Sequence, residues 1–571
     1  MLHAGATSPF PPIDDASATL SFPPLGPGVN VLMIWPRFER SYWEGMLEIL
    51  PDSTQGPPLA LVTIAALLPK TWNVRLVDCA FEELRDEDIL WADLVMVSAM
   101  YPQRAGVRAT LTRCRELGRR TIIGGPYASS QPEEVLPLAD HVVVGEVEEC
   151  FTALVADFES GTARRLYRVV EKPDVTRSPV PRFDLLKLDK YLAMAIQFSR
   201  GCPFQCEFCD IITIYGRRPR TKTPAQVIAE LEALYRVGWR SWIMVGDDNF
   251  VGNHRAALEL SRELARWQKA HDFPFAFYTE ASIDLSERQE LLDAMVEANF
   301  VFTFIGIETP ASDALREAKK FQNLRHNTLE QVKRIQARGL WITAGFIVGF
   351  DSDDTGIFDR QLEFIEAAAI PWALLNILQA PPTTPLHDRL RSQGRLRDGQ
   401  VTIAGTCNTP NFLTVMPPAD LYRGTARILR ALYAPRQFFD RTIRSFEDWV
   451  PAPVQRFPRL PNAYWIRSTL ISMWKQGVLA PYRWEYWRFW AIALRRWWRQ
   501  PTKLGMACMV LVSADHFCRF AAELVEELET EANKSAGIPG YCAPSAAAAA
   551  PVTLTLTPAL TQMMAERSKA S

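Results

Sequence analysis

The sequence lacks a strong charge bias, a secretory signal and long uninterrupted apolar runs. Its 571 residues carry 63 Lys and Arg against 65 Asp and Glu, so no overall field favours nucleic acid as a partner. Residues 1–28 contain no basic segment followed by an apolar run. No stretch reaches the roughly 18 consecutive apolar residues of a membrane span. These absences predict a cytoplasmic protein without a membrane-spanning helix.

Cysteine and histidine are also scarce. Ten cysteines in 571 residues are too few for a disulfide scaffold. Three of them nevertheless fall within one short stretch, GCPFQCEFCD (201–210), as Cys202, Cys206 and Cys209. The nearest histidines in the sequence are His141 and His254. In a reducing compartment, such clustering predicts a metal or catalytic site.

Short apolar runs alternate with helix-like segments from Val29 onward. This pattern is typical of buried parallel strands in a doubly wound α/β domain. The predicted strands are 29–36, 72–79, 92–100, 120–126 and 141–146. Several of these strands end in small or turn-forming residues, at the edge where such sheets bind ligands. Tight turns alone would also explain the glycines among those residues.

A second series of strands and helices follows a proline-containing linker. Its predicted strands are 192–202, 241–250, 274–283, 300–308, 341–350 and 373–382. Thr223-Pro224 has the signature of a helix N-terminus. Six strand–helix units predict a partial (β/α)6 barrel with its chemistry at the carboxyl ends of the strands, where the three cysteines fall.

The fold class is therefore α/β, with a mostly helical C-terminal region after about residue 400. The aromatic and basic residues of 464–500 fit a greasy substrate tunnel, a membrane-interface surface, or an ordinary helical core. The predicted division of the chain is a disordered tail (1–28), a Rossmann-like domain (29–170), a linker (171–190), the barrel (191–400), a helical domain (401–530) and a disordered tail (531–571).

The spacing CxxxCxxC leaves three possibilities open. Structural zinc normally takes four ligands, often as two CxxC pairs. Three unliganded thiols are equally compatible with the spacing. An iron–sulfur cluster fits better, because cubane clusters take thiolates from short irregular loops and three protein ligands leave one iron open.

With the aromatic Phe208 before its last cysteine, this stretch resembles the CxxxCxΦC signature of radical S-adenosylmethionine (SAM) enzymes. The resemblance implies that Cys202, Cys206 and Cys209 hold a [4Fe-4S] cluster. It further implies that SAM binds the fourth iron and is cleaved reductively to a 5′-deoxyadenosyl radical. The electron would come from a flavodoxin- or ferredoxin-type donor.

The same resemblance assigns SAM contacts at three other strand ends. Gly345–Gly349 resembles the family's GxIxG, and Gly246-Asp247-Asp248-Asn249 stands where relatives carry a GGE-like motif. Glu308 would reach the SAM amine or ribose, with Lys319 or Lys320 as partner of its carboxylate. The predicted SAM contacts are Phe208, Asp247, Asp248, Glu308, Gly345, Ile347 and Gly349. Helix capping and solvated loop charges are the alternatives for the carboxylates.

An α/β domain before such a barrel resembles the arrangement of cobalamin-dependent radical SAM enzymes. The DxHxxG motif of other B12 proteins is absent, since Trp35-Pro36-Arg37-Phe38 follows the first strand. The resemblance implies that cobalamin, if bound, lacks a histidine ligand on its lower face. The predicted cobalamin contacts are Ser98, Gly124, Gly125, Pro126, Tyr127, Gly145 and Glu146.

The C-terminal stretch 407–441 resembles the extra domain of the branch that includes the hopanoid C-2 methyltransferase. The resemblance implies methyl transfer from methylcobalamin to an unactivated carbon of an apolar small molecule, with peripheral membrane contact as a further possibility. The alternatives are a tetrapyrrole-type oxidative cyclase or rearrangement enzyme of the same architecture, and a non-catalytic metal or cobalamin sensor. A methylthiotransferase is disfavoured because no second set of three cysteines is visible.

Overall fold

The computed structural model describes residues 20, 22–38, 49, 56–397, 409–457 and 463–542, with backbone only for 463–465. Most of the two predicted tails and Cys407 lie outside these residues. Residues 22–28 were predicted to be disordered, and the structure contradicts this. Leu25 is buried and its N–H donates to the Phe158 carbonyl at 2.9 Å, while the Gly28 N–H donates to Thr71 at 2.9 Å.

The first domain contains a six-stranded, fully parallel sheet in the order β2-β1-β3-β4-β5-β6. Its strands are β1 (Asn30–Trp35), β2 (Asn73–Asp78), β3 (Leu94–Ser98), β4 (Thr121–Gly124), β5 (His141–Val144) and β6 (Leu166–Arg168). The last strand was not predicted, because three residues are too few to form a recognisable apolar run. The chain places β2 on one side of β1 and all later strands on the other side, so the strand order reverses at β1. This reversal places a ligand crevice beyond the carboxyl ends of β1 and β3.

Helices cover both faces of this sheet, which explains why β3 and β5 are buried along their whole length. The helices are α1 (Leu59–Leu67), α2 (Asp86–Trp91), α3 (Arg104–Glu116), α4 (Pro126–Ser130), α5 (Pro132–Val135) and α6 (Phe151–Ser160).

The second domain has the predicted six parallel strands, in the order β14-β13-β12-β11-β10-β7. A two-stranded antiparallel hairpin, β8 with β9, follows β7 and was not predicted. The strands are β7 (Ala193–Ile196), β8 (Ser199–Arg200), β9 (Arg220–Thr221), β10 (Trp242–Val245), β11 (Ala276–Ala281), β12 (Phe300–Glu308), β13 (Trp341–Val348) and β14 (Ala373–Ile377). The open sheet confirms the partial barrel.

Helices alternate with these strands. They are α7 (Ile211–Ile214), α8 (Pro224–Arg236), α9 (His254–Ala270), α10 (Gln289–Glu297), α11 (Ser312–Glu317), α12 (Thr328–Ala337), α13 (Ile357–Ala368) and α14 (Pro385–Ser392). The predicted start of α8 is correct: Thr223 accepts from the Gln226 N–H, and the Gln226 side chain accepts from the Thr223 N–H.

The C-terminal region is helical, as predicted. Its helices are α15 (Pro418–Tyr433), α16 (Pro435–Asp448), α17 (Ala463–Trp474), α18 (Arg483–Trp497) and α19 (Pro501–Lys534), with a π-helical turn at Lys475–Leu479. Helices α15 and α16 are separate because Pro435 starts a new helix. The predicted tail begins too early, since α19 continues to Lys534 and the Tyr541 N–H donates to Thr414.

These helices cover the N-terminal ends of the barrel strands. The indole of Trp341, the first residue of β13, donates to Ser445 at 2.8 Å. The indole of Trp449 donates to the Gly339 carbonyl at 2.7 Å, and that of Trp372 donates to Ser513 at 3.0 Å. The helical region therefore closes the end of the barrel opposite the predicted chemistry.

One helix in the described part of the chain, α19, has the length and apolarity of a membrane span. However, 72% of its apolar window is buried inside the protein. Packing of α19 against α15 and α18 accounts for its composition as that of a core helix.

Candidate functional site

The three cysteines lie on the loop between the β8 strand and α7, at the carboxyl end of the barrel. Gly201 immediately precedes them with a φ of +95°, and a Cβ there would lie 2.8 Å from the Gly216 carbonyl. Only glycine fits such a conformation without strain. The Cys202 N–H donates to that same carbonyl at 3.2 Å, so this close approach of two chain segments sets where the loop begins.

Residues at the end of β10 hold this loop. The two oxygens of Asp247 accept from the Phe198 N–H at 2.7 Å and from the Ser199 hydroxyl at 2.6 Å. Asp248 accepts from the Gly201 N–H at 3.0 Å. Burial raises the pKa of Asp247 to about 6 and that of Asp248 to about 7. Both oxygens of Asp247 thus support the loop, and its predicted contact with SAM stays a prediction.

Amide donors approach two of the thiols. The side-chain amide of Asn249 lies 3.7 Å from the Cys202 sulfur, and that of Gln322 lies 3.7 Å from the Cys206 sulfur. Burial raises the pKa of Cys209 well above its ordinary value and also raises that of Cys202. N–H donors to sulfur are the groups that tune iron-bound thiolates. Neither amide contact was predicted from the sequence.

The donor set fits a three-thiolate cluster. Within the residues that the structure describes, no three His, Cys, Asp or Glu side chains already converge as metal ligands. The fit therefore rests on three thiols of one loop, on the amide groups beside two of them, and on the position at a strand end. The predicted ligand roles of Cys202, Cys206 and Cys209 stay a prediction.

A buried ion pair stands beside the cysteine loop. Glu308, the last residue of β12, has a φ of +65°, and its carboxylate accepts from the Lys320 ammonium at 2.7 Å. Burial lowers the pKa of Lys320, but the Glu308 carboxylate together with the Cys206 and Cys209 thiols raises it overall. The ammonium also lies 5.9 Å from the centre of the Phe208 ring. Of the two lysines suggested by the sequence, Lys320 is the partner of Glu308.

Glycines make room for this pair. Gly306 and Gly345 are register partners on β12 and β13. A Cβ on Gly306 would lie 2.5 Å from a Glu308 oxygen and 2.9 Å from the Lys320 nitrogen, and one on Gly345 would lie 2.9 Å from Phe304. Any side chain at position 306 would displace the Glu308–Lys320 ion pair. The ion pair in this position therefore requires glycine at residue 306.

Ile347 and Gly349, the other predicted SAM contacts, stand at the end of β13. Ile347 packs with Phe208 on a small apolar cluster that includes Phe350. The Gly349 N–H donates to Asp353 at 2.8 Å. The structure thus brings Phe208, Glu308, Gly345 and Ile347 to one edge of the barrel, next to the cysteine loop.

A cavity of about 370 Å³ lies between the two α/β domains. On the first domain it is lined by Ser98, Gly124, Gly125, Pro126, Gly145 and Glu146, all predicted cobalamin contacts. On the barrel it is lined by Ala195, Gln197, Arg200, Ile214, Tyr215 and Gly246. The lining contains Trp35 and no histidine among the described residues, in keeping with the missing DxHxxG motif.

The backbone at the cavity edge needs glycine. Gly125 has a φ of +91°, and a Cβ there would lie 2.7 Å from the Ser98 hydroxyl. Tyr127 does not line this cavity, and its predicted role as a cobalamin contact stays a prediction. Its ring is fully buried edge-to-face against Tyr101, and its hydroxyl donates to Glu134 at 2.7 Å. The first turn of α4 directs it away from the edge.

Four buried charges join the domains beside the cavity. Arg200 pairs with Glu146 at 2.9 Å and with Glu148 at 2.6 Å, and Arg220 pairs with Glu146 at 2.7 Å. Burial raises the pKa of Glu148, but Arg200, together with a backbone N–H and the Ser178 hydroxyl, holds it below its ordinary value. We name these four residues the interdomain clamp. Arg200 lies two residues before Cys202, so the clamp connects the cavity edge to the cysteine loop.

The sequence could not predict the clamp. Glu146 and Arg200 are 54 residues apart, in different domains, and neither carries a local signal. Because Glu146 accepts hydrogen bonds from two arginines, its predicted contact with cobalamin would have to share the carboxylate with the clamp.

Comparison with known proteins agrees with this arrangement. Three family profiles match successive parts of the chain: the B12 binding domain at residues 52–155, the radical SAM superfamily at 196–360, and a domain of unknown function at 384–530. An uncharacterized methyltransferase of Synechocystis sp. is 40% identical over 80% of this chain and 86% of its own length. The hopanoid C-2 methylase of Rhodopseudomonas palustris is 33% identical over 86% of this chain and 94% of its own.

A solved structure supports the fold. The radical SAM methyltransferase TsrM of Kitasatospora setae, solved with cobalamin and a [4Fe-4S] cluster, superposes with a TM-score of 0.59 at 15% identity, covering 87% of this chain and 99% of that one. The cofactors of the present chain are accordingly a [4Fe-4S] cluster, SAM and cobalamin. The chain belongs to the cobalamin-dependent radical SAM methyltransferase family that includes hopanoid C-2 methylase.

Proposed function

We propose that this enzyme methylates an unactivated carbon of an apolar, hopanoid-like polycyclic substrate. The observation that carries the proposal is the cavity between the glycine edge of the first domain and the barrel mouth, with the cysteine loop two residues beyond Arg200. The similarity to a hopanoid methylase over most of both chains supports the substrate class.

We assign separate roles to the residues around the cysteine loop. Cys202, Cys206 and Cys209 would hold the cluster, and Asp247, Asp248 and Asn249 position their loop from the end of β10. Bound together, the cofactors supply a radical that removes a hydrogen atom and a methyl group that replaces it. The proposed SAM contacts are Phe208, Asp247, Asp248, Glu308, Gly345, Ile347 and Gly349.

The first domain would present cobalamin to the barrel. Ser98, Gly124, Gly125, Pro126 and Gly145 would allow a large planar ligand to approach the backbone closely. Trp35, at the end of β1, lines the cavity, and we propose that cobalamin would have no histidine ligand from this chain on its lower face. The interdomain clamp would hold this edge and the cysteine loop at a fixed distance, because Arg200 pairs with Glu146 and lies two residues before Cys202.

We also propose a flavodoxin- or ferredoxin-type protein as electron donor. An apolar polycyclic substrate partitions into bilayers, so we place the enzyme in the cytoplasm with peripheral contact to the inner face of the membrane.

The test is product analysis with the anaerobically reconstituted full chain, SAM, reductant and a hopanoid. The proposal predicts a product heavier by one methyl group in place of hydrogen. Oxidised or rearranged product without added methyl would favour the cyclase class instead. Cys206→Ala should abolish turnover, whereas Cys508→Ala, in α19 far along the chain, should not.

A further inference from the structure

The helices α17 and α18 carry an unusual distribution of apolar side chains. On α17 and the π-helical turn after it, the fully buried residues include the polar Ser468, Ser472 and Gln476, spaced four apart, while Ile471 and Met473 are half-buried against the core. Ile466, Leu470 and Trp474 follow the same spacing on the other side and are exposed. A surface helix normally has the opposite arrangement. An outward apolar stripe of this kind indicates contact with something other than water.

Part of this buried polar side is hydrogen-bonded, which favours the observed orientation, whereas the Ser468 hydroxyl and the Gln476 Oε1 have no partner among the described residues. The Gln476 amide donates to the Leu511 carbonyl at 2.7 Å and to Ser472 at 3.0 Å. Ser472 also lies 3.2 Å from the Tyr486 hydroxyl of α18. Rotating the helix to bury its apolar stripe would break these bonds, and each buried polar group left unpaired is costly.

Helix α18 continues the exposed surface. One of its faces is buried in the core through Tyr486, Phe489, Trp490, Ala493 and Trp497. A second apolar face points outward through Trp484, Trp487, Leu494 and Trp498. The exposed fractions of Trp474, Trp484 and Trp498 are 60%, 74% and 61%. No tryptophan elsewhere in the described residues is among the exposed large hydrophobic side chains.

Basic residues surround this surface. Residues 466–500 contain six arginines and one lysine against the single acid Glu485. The guanidinium of Arg499 lies 4.5 Å from the Trp498 ring, and that of Arg483 lies 6.0 Å from the Trp484 ring. Within the described residues, Arg467, Arg483, Arg495 and Arg499 have no carboxylate partner in an ion pair. The surface is therefore apolar, rich in tryptophan and positively charged.

We propose that the exposed faces of α17 and α18 form a docking surface for an anionic lipid bilayer. We name it the tryptophan face and define it as Ile466, Leu470, Trp474, Val478, Leu479, Trp484, Trp487, Leu494 and Trp498. Tryptophan prefers the bilayer interface, and flanking arginines are attracted to anionic headgroups. A second copy of the same face would bring like charges together, which disfavours self-association through it.

The proposal deepens the proposed function, because it names the surface that would hold an enzyme of lipid-like substrates at the membrane. It does not depend on the chemistry. The helical region covers the N-terminal ends of the barrel strands, whereas the cysteine loop lies at their carboxyl ends. Docking through the tryptophan face would therefore leave the cofactor side of the barrel uncovered.

The test is flotation of the reconstituted full chain with vesicles of phosphatidylcholine containing phosphatidylglycerol, and with phosphatidylcholine alone. We expect binding to the anionic vesicles that weakens with added salt. The triple variant Trp474→Ala, Trp484→Ala, Trp498→Ala should lose at least about tenfold in binding. Arg483→Glu with Arg495→Glu should lose binding to anionic vesicles specifically. Trp91→Ala is the matched control, because it removes another arginine-contacting tryptophan, next to Arg75, from α2.

Equal binding of the triple variant and the wild type would overturn the proposal. So would a wild type that fails to float and dimerises through this face, detected as a dimer that the triple variant converts to monomer in sedimentation. The thermal unfolding of the tryptophan-face and arginine variants should match the wild type, since their replaced side chains are exposed, whereas Trp91 is half-buried against the core of the first domain. A wild type that cleaves SAM but does not float overturns the docking proposal alone. A wild type that floats but does not cleave SAM overturns the proposed function alone.

Discussion

At the scale of single residues, Glu308 is the most informative position in the barrel. Its φ of +65° places a non-glycine residue in the left-handed region, which costs on the order of 1 kcal/mol or more. The Gln361 amide donates to its carbonyl at 2.9 Å, and Lys320 pairs with its carboxylate. These two bonds hold Glu308 in its strained conformation, which places its carboxylate beside the cysteine loop.

Glu308→Gln should lower the rate of SAM cleavage by about ten- to a hundredfold, the cost of one charged hydrogen bond. The iron and sulfide content should stay unchanged, because the cysteines are untouched. The measurement is the rate of 5′-deoxyadenosine formation under reducing conditions. Asp313→Asn, in α11 and largely exposed, is the matched control. Unaltered cleavage in Glu308→Gln would remove Glu308 from the proposed SAM site.

Gly124 allows a second test at this scale. It lines the interdomain cavity, yet a Cβ there would make only an ordinary contact, 3.6 Å from Val143. Gly124→Val should therefore fold but lose cobalamin during desalting, while its cluster content stays normal. Ile123→Val, the preceding residue of the same strand, packs in the core and should retain cobalamin at a cost of about 1 kcal/mol in stability. Equal retention in both variants would place cobalamin elsewhere.

At the scale of elements, the β8–β9 hairpin is the part that connects cofactor sites. Arg200 lies on β8 and Arg220 on β9, in register with each other, and both reach Glu146 of the first domain. The cysteine loop lies within the connection between these two strands. Movement of either site relative to the other would have to break this interdomain clamp.

Arg200→Met should destabilise the protein by about 1–3 kcal/mol, because it leaves two buried carboxylates short of a partner while Arg220 and Ser178 remain. It should also weaken cobalamin retention. Chemical denaturation of the full chain measures the first effect. In a double-mutant cycle, Glu148→Gln should cost less in the Arg200→Met background than in the wild type. Arg177→Met, which breaks the exposed pair with Glu149, should change stability by less than about 0.5 kcal/mol.

If Arg200→Met and Arg177→Met lost equal stability, the clamp would have no special structural role.

A second interdomain contact makes stability depend on pH. The Tyr191 hydroxyl donates to Asp78 at 3.0 Å, and both residues are buried. Burial raises the pKa of Asp78 from 3.8 to about 6. A carboxyl group whose pKa is raised by folding stabilises the folded state fully below its unfolded pKa, and this contribution is lost as the pH rises through 6.

Asp78→Asn should therefore increase the free energy of unfolding above pH 7, by up to about 1–3 kcal/mol, and flatten its pH dependence between 4 and 7. The asparagine keeps hydrogen-bonding groups at this position without the buried charge. Denaturant titrations at several pH values measure the effect. Tyr191→Phe, which removes the donor and keeps the charge, should be less stable than the wild type at pH 8. A less stable Asp78→Asn protein at pH 8 would contradict this account.

At the scale of the whole molecule, the C-terminal helices complete the barrel. Trp449 is fully buried against the loop before β13, and Gln455 donates to the carbonyls of Phe300 and Gly339. These bonds satisfy backbone groups at the N-terminal ends of two strands, which would otherwise be exposed to water at the edge of the core.

Trp449→Ala should destabilise the protein by about 3–5 kcal/mol, the usual cost of removing a buried aromatic side chain. Trp474→Ala, on the tryptophan face, should change stability by less than about 0.5 kcal/mol. Thermal unfolding of the two variants side by side makes the comparison. Similar melting temperatures would mean that the helical region is not part of the barrel's core.

The sequence was most informative where chemistry and periodicity are local. The three cysteines, the glycines at the ends of β4 and β5, and the apolar parallel strands are recognisable without a structure. The short strand β6 and the β8–β9 hairpin are not, because two or three residues carry no periodic signal.

Contacts between residues far apart in the sequence could not be predicted either. Asp247 resembles a ligand-binding residue in sequence, but its oxygens are used by the backbone and hydroxyl of β7–β8, nearly fifty residues earlier. Tyr127 follows the glycine pair that lines the cavity, yet the helical turn of α4 carries it away. The inner side of α17 is partly polar and its outer side carries exposed apolar residues, so amphipathicity alone would not have oriented this helix.

The central claim is that one chain combines cluster, SAM and cobalamin chemistry. The most direct measurement is anaerobic reconstitution with iron, sulfide and hydroxocobalamin, followed by reduction and assay of 5′-deoxyadenosine and S-adenosylhomocysteine. The account predicts both products, cobalamin retained through desalting, and loss of 5′-deoxyadenosine in Cys206→Ala. Formation of 5′-deoxyadenosine without retained cobalamin or S-adenosylhomocysteine would contradict it.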